Sequence, residues 1–285
     1  LTRTTSEADM TSGKKTKATR NSVAAARSSV VASKPKPWGT IIAVIAVLGL
    51  AGGVFGYAYT QIHANNVKEA ALAKWKPSDT NKDPSKQLAG IVTKEYAASK
   101  HVQPTQRVAY DQTPAFGGPH DSTWADCTGV VYDKAVRTEN MVHGLEHGAV
   151  WIAYNPDQVK DDALAKLKAK VEGIPYMMMS PFPGLDKPIS LQSWGHQLKV
   201  EKADDERIDQ FISSLLRNAN TYPEVGASCE NAQFLSNPAP FVAEKPGADA
   251  VPMDGGTDDS KTEGQQGQVP PSTPPSGSAS TPPSS

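Results

Sequence analysis

The sequence predicts an α+β fold: one compact extracytoplasmic domain of short strands and a few helices, preceded by one transmembrane helix. Three observations carry this. The run 38–62 is apolar and holds no charged residue. Between 85 and 245, short apolar runs suited to strands alternate with stretches of helical periodicity, the mixture that marks an α+β domain. Both ends of the chain are polar and poor in large apolar residues, so they bury too little surface to offset the entropy of ordering.

Residues 1–37 read as a disordered basic cytoplasmic tail. About 20 apolar residues cross a bilayer core as a helix, so 38–62 is long enough to span. Trp38 stands at one end and Tyr57 and Tyr59 near the other, where an aromatic belt sits. Arg3, Lys14, Lys15, Lys17, Arg20, Arg27, Lys34 and Lys36 precede the run, against Glu7 and Asp9. Positive charge stays inside, so the expectation is a protein integral to the plasma membrane, N-terminus cytoplasmic and main domain outside. A cleaved signal peptide is the rival, but the run is long for one and no clear small-x-small site precedes Lys68. Residues 63–84 read as stalk and linker, 85–245 as the domain, and 246–285 as a disordered Pro/Ser/Thr-rich tail. The net charge of −1 does not suggest a nucleic-acid partner.

Within the domain, 87–98 reads as a short helix or mixed segment and 104–122 as loop, with Pro114, Gly117, Gly118 and Pro119. A strand is expected at 129–132. Thr138 is placed to cap a helix over 139–147, with Gly148 as its left-handed stop. Strand 149–154 follows. Asn155 and Pro156 then read as the N-cap and first residue of a helix over 156–172, whose apolar stripe is Val159, Ala163, Leu164, Leu167 and Val171. Strands are expected at 176–179, 189–193 and 197–200. Ile208, Phe211, Ile212 and Leu215 predict a last helix over 203–217. Cys127 and Cys229 are the only cysteines. In an oxidising compartment two such thiols pair, so a structural disulfide is expected.

The densest chemistry lies in the run 139–148. On a helix, His143 and His147 are one turn apart on one face, a spacing that suits two imidazoles on one metal ion. His120, in Gly117-Gly118-Pro119-His120, is a third candidate ligand, and His196 ranks behind it. Zinc or copper is the ion such a cluster would take. Met177 to Met179 would add a soft ligand favouring copper, although their alternation suits a strand core. Each histidine can equally serve as a cap or a core hydrogen-bonder. His143-x-x-Glu146-His147 also spells the pattern of a zinc peptidase with Glu146 as general base, but Gly144 and Gly148 and the strand that follows at once do not suit it.

The run 117–120, the run 139–150, Ser180-Pro181-Phe182-Pro183-Gly184-Leu185, Ser193-Trp194-Gly195-His196 and 223–229 together resemble a membrane-anchored family catalogued as domain of unknown function 3105. The resemblance covers roughly 83–229. It implies an actinobacterial or related source and a domain facing away from the cytoplasm, and the family's name assigns no activity. Cys127-Thr128-Gly129 departs from it by one residue, since that family tends to place Gly directly after the first Cys. Three functions follow: a non-enzymatic membrane-tethered domain with a metal-binding histidine cluster, an accessory or docking subunit of a membrane complex, and a zinc hydrolase using Glu146. A non-enzymatic role is favoured.

Overall fold

The computed structural model describes residues 36–243 and 245–258. Of the tails expected at 1–37 and 246–285, residues 1–35 and 259–285 lie outside the described residues. The chain divides into two compact units, 1–65 and 66–285. Helix α1, Trp38–Leu72, has no buried residue and is long and apolar enough to cross a membrane.

In the second unit, the 3₁₀ turns Ala73–Trp75 and Pro84–Gln87 lead into strands β1 (Ile91–Thr93), β2 (Lys100–Val102), β3 (His120–Asp121) and β4 (Thr128–Val131). Helix α2 (Thr138–Glu146), strand β5 (Val150–Tyr154), helix α3 (Asp161–Lys168) and strands β6 (Met177–Pro181), β7 (Ile189–Ser193) and β8 (His196–Val200) follow. Helices α4 (Glu206–Leu215) and α5 (Ala232–Ser236) and strand β9 (Thr257–Asp258) close the described chain. Six strands form a mixed sheet in the order β1-β8-β7-β5-β6-β4. β5, β6 and β4 run parallel, and β5, β7, β8 and β1 pair antiparallel. A separate three-stranded sheet has the order β3-β2-β9.

The central strands are buried on both faces, which is why they read as unbroken apolar runs. Side chains alternate across a strand. Trp151, Ala153 and Met178 therefore pack with Met141, Val142 and Leu145 of α2. Val150, Ile152, Met177 and Met179 pack on the other face with Ile208, Phe211 and Leu215 of α4. All three methionines are core residues, Met178 on one face of the sheet and Met177 and Met179 on the other.

Several boundaries differ from the sequence reading, each for a local reason. Of the two readings of 87–98, a short helix or a mixed segment, the mixed one fits: a 3₁₀ turn ends at Gln87 and edge strand β1 follows. Asn155 starts a turn: its side chain accepts from Asp157 N–H at 2.9 Å, and its carbonyl accepts from Val159 at 2.9 Å. α3 begins only at Asp161, which has φ +47°. α2 starts on Thr138 itself, with Arg137 at the cap position and no side-chain cap. α4 is capped by Asp205, which accepts from Arg207 N–H. From Pro246, where composition places the tail, the chain still pairs with the domain. Val251 bridges Val108, and β9 lies antiparallel to β2.

The extra residue after Cys127 is absorbed as a bulge, with the β4–β6 register shifting between Thr128 and Val130. Gly129 sits there at φ +89°, and a Cβ would lie 2.5 Å from Ile174 N and 2.6 Å from Gly173 N. Left-handed strain and a clash with backbone both oppose any side chain. Gly129→Ala is expected to cost on the order of 2–5 kcal/mol. Thermal unfolding followed by circular dichroism checks this, and an unchanged midpoint would contradict it.

Candidate metal centre

Helix α2 is the unusual element: Glu139, Asn140, His143 and Glu146 are all buried beside its apolar residues. Charged and polar groups are rarely buried without partners; Glu139 finds them in Val108 N–H, Arg107 and Arg137, and His143 and Glu146 find them in the cluster below. Gly148, at φ +93°, ends the helix under the ring of Tyr222, 2.6 Å from where a Cβ would stand.

The small sheet carries the other half of the site. Parallel pairing of β2 and β3 puts His101 in register with His120, and both face His143. Ring centroids are 4.9 Å apart for His101–His120, 5.2 Å for His101–His143 and 4.8 Å for His120–His143. With Glu146 these form a group whose candidate ligand atoms all lie within 4.8 Å of one another. Burial is nearly complete: His101 is 4%, His120 0%, His143 2% and Glu146 0% exposed.

Backbone carbonyls orient the rings. His120 Nδ1 lies 2.8 Å from Gly118 O, His143 Nδ1 2.6 Å from Asp121 O, and His147 Nδ1 2.7 Å from Ser228 O. A carbonyl only accepts, so Nδ1 donates in each, and in the neutral ring Nε2 is left with a lone pair. Fixing the far nitrogen in this way is how proteins hold imidazoles for a metal. Asp121 is itself anchored, its carboxylate paired with buried Arg137 and accepting from Thr123 N–H at 2.8 Å. Glu146 Oε1 accepts the Ser99 N–H at 2.7 Å, and Ser99 takes the left-handed φ of +53° to offer it. Such strain is a mark of functional positions.

One contact stands out. His120 Nε2 and Glu146 Oε2 approach to 2.8 Å, yet neither atom makes a hydrogen bond. The direction is wrong for N–H···O, although the distance is right. Two buried polar atoms that crowd together without bonding lose their hydration for no return.

Burial holds the His143 imidazole well below its ordinary value, and any charge on His120 or His147 pushes the same way, against the hydrogen bond to Asp121 O. A lowered folded pKa means that the unfolded chain takes the proton first. The stability this contributes is complete above the unfolded value of 6.5 and is lost as pH falls below it, by about 1.4 kcal/mol per pH unit for one group. Urea unfolding of metal-free protein between pH 7.5 and 5.5 should show a falling midpoint, and His143→Gln should flatten the slope.

Of the residues singled out in the sequence, His120 and His143 come together. His147 lies one helical turn away, its ring 4.6 Å from that of His143, in a second group with His143 and Glu224. His196 stands outside both groups. Its Nδ1 lies 2.6 Å from Trp194 O and its Nε2 3.1 Å from Asp83. Cys127 and Cys229 lie at disulfide distance. Sequence reasoning missed His101 and Glu224, and it read Glu146 as a candidate general base, whereas the structure also groups it with His101, His120 and His143. His101 had no local signal, since only the β2–β3 pairing brings it to the site.

No curated protein and no solved structure matches the chain. The stretch 101–231 begins at His101 and takes in every residue of both groups and both cysteines. Over residues 101–231 the chain matches, and so resembles, the family described as Protein of unknown function (DUF3105).

Proposed function

We propose that this chain is a membrane-anchored, extracytoplasmic metal-binding protein that holds one zinc or copper ion through His101, His120, His143 and Glu146. The observation that carries the reading is the 2.8 Å approach of His120 Nε2 to Glu146 Oε2 with no hydrogen bond between them. A cation placed between them turns a repulsive contact between a lone pair and a carboxylate into two ligand bonds. Three imidazoles and a carboxylate without thiolate suit zinc or copper(II). The ring of Trp194, 5.9 Å from that of His120, adds a dry wall, which limits water at the site.

Glu146 argues against a hydrolase. A general base must reach a metal-bound water, whereas Glu146 spends one oxygen on Ser99 N–H and turns the other into the ligand cluster. Four protein ligands also resemble a closed site that holds an ion more than an open catalytic one. The apolar run 38–62 within α1 and the basic residues before it support anchoring with the N-terminus inside. A cysteine pair at disulfide distance supports an oxidising compartment for the domain.

The test is metal content. The full chain, extracted in detergent and purified without a histidine tag, should carry close to one equivalent of zinc or copper by mass spectrometry, or take it up on reconstitution. No uptake of either ion would overturn the reading.

A further inference from the structure

We propose that His143 is shared by two ion positions, and that an ion reaches the buried one by way of the other. This rests on the metal-binding reading above and adds a route to it. The second position is formed by His143, His147 and Glu224, whose candidate ligand atoms also lie within 4.8 Å of one another. It is the more open of the two. The Glu224 side chain is 16% exposed, against 0% for His120 and Glu146. It is also built from fewer ligands, two imidazoles and a carboxylate, with His147 Nε2 3.2 Å from Glu224 Oε2. Three protein ligands leave room for water in the ion's shell, which suits arrival and departure better than storage.

The sharing follows from the chemistry of one ring. His143 Nδ1 is committed to Asp121 O at 2.6 Å, so only Nε2 is available to a metal. His143 therefore serves one position at a time, and the two positions cannot both be filled through it. An ion can instead pass between them without leaving Nε2. His147 Nε2 and Glu224 Oε2 let go as His101, His120 and Glu146 take hold, and the remaining waters return to solvent. This is ligand exchange, and no electron moves. The path is needed because every inner ligand is at most 4% exposed, so a hydrated ion has no direct approach to them.

The two positions are mechanically joined as well. Glu224 N–H donates to Glu146 O at 3.3 Å, which ties the backbone bearing the outer carboxylate to the one bearing the inner. Ser228 O holds the His147 ring, next to the Cys127–Cys229 pair.

The test uses the full chain in detergent with Co²⁺ as the probe, since its visible bands report the ligand set. Two variants are compared with wild type: His147→Asn with Glu224→Gln, which removes the outer position, and His120→Asn with Glu146→Gln, which removes the inner. Wild type should take up one Co²⁺. The outer variant should load in stopped-flow, and release to a chelator, more slowly by the same factor, about ten-fold or more. Loss of a route slows both directions together and moves affinity much less than either rate. The inner variant should still bind one Co²⁺, with a different spectrum and faster release. Wild-type rates in the outer variant, two Co²⁺ held at once by wild type, or no binding by the inner variant would each overturn the shared-ligand route while leaving the metal-binding reading standing. Wild type that takes up no Co²⁺, zinc or copper would instead remove the metal-binding reading itself, and the route with it.

Discussion

Replacing His120 and His143 together with alanine should abolish the thermal stabilisation that zinc or copper gives the wild-type protein. An ion that binds only the folded state, present at a hundred times its Kd, stabilises by about 2.7 kcal/mol. For a domain of this size that is a rise in Tm of roughly 5–11 °C. Losing both ligands should weaken affinity by at least about 100-fold, since partners that merely orient a ligand are already worth 10–100-fold. The readout is the difference between metal-loaded and metal-free Tm within each variant, so a folding defect does not imitate it. The metal-free variant should itself lose stability, because the substitutions leave Gly118 O and Asp121 O without their donors and open space in a buried site, which is why the shift and not the Tm alone is compared. His196→Ala is the control. Its ring lies with Asp83 and Trp194 O outside both ligand groups, so its metal-induced shift should match wild type. A double variant that keeps the full shift would mean that the ion sits elsewhere.

The pair that drives this prediction was visible in the chain, and its partners were not, for a physical reason. His143 and His147 are four apart on a helix, and helical periodicity is local. Strand β7 was likewise legible from its apolar run, helix α4 from its periodic apolar stripe, and the three methionines of β6 from their alternation. β2, β3 and β9 hold two or three residues each, too few for any period to show. Yet the register of β2 against β3 sets His101 beside His120. Glu146 drew notice through a three-residue pattern that suggests a base, but its contacts with His120 and the Ser99 N–H were not legible, since they depend on the fold. Glu224 sits in a loop segment whose resemblance to a family was evident, but a lone carboxylate in a loop carries no signal until a fold brings His147 to it.

Removing the Cys127–Cys229 link by substituting both residues with alanine should destabilise the domain strongly. The link closes a separation of 102 residues, and a loop of about that length is worth about 4.7 kcal/mol when its closure entropy is removed from the unfolded chain. That corresponds to a fall in Tm of roughly 9–19 °C. Because the effect acts mainly on the unfolded state, urea unfolding should show a larger m-value as well as a lower midpoint: an unlinked chain expands and exposes more surface. Folded-state contacts around the link should keep the segment seated. Asn231 N–H donates to Asp126 Oδ2 at 2.7 Å, Tyr176 OH to Ala227 O at 2.8 Å, and Cys127 N–H to Cys229 O at 3.0 Å. What should loosen is the Ser228 carbonyl that orients His147, so the variant should load metal more slowly while the inner ligands, carried by α2 and the β2–β3 pair, still bind it. A variant that lost stability and inner-site binding together at temperatures where it remains folded would show that the C-terminal segment shapes the inner cluster directly, and that the separation of the two positions along α2 is wrong.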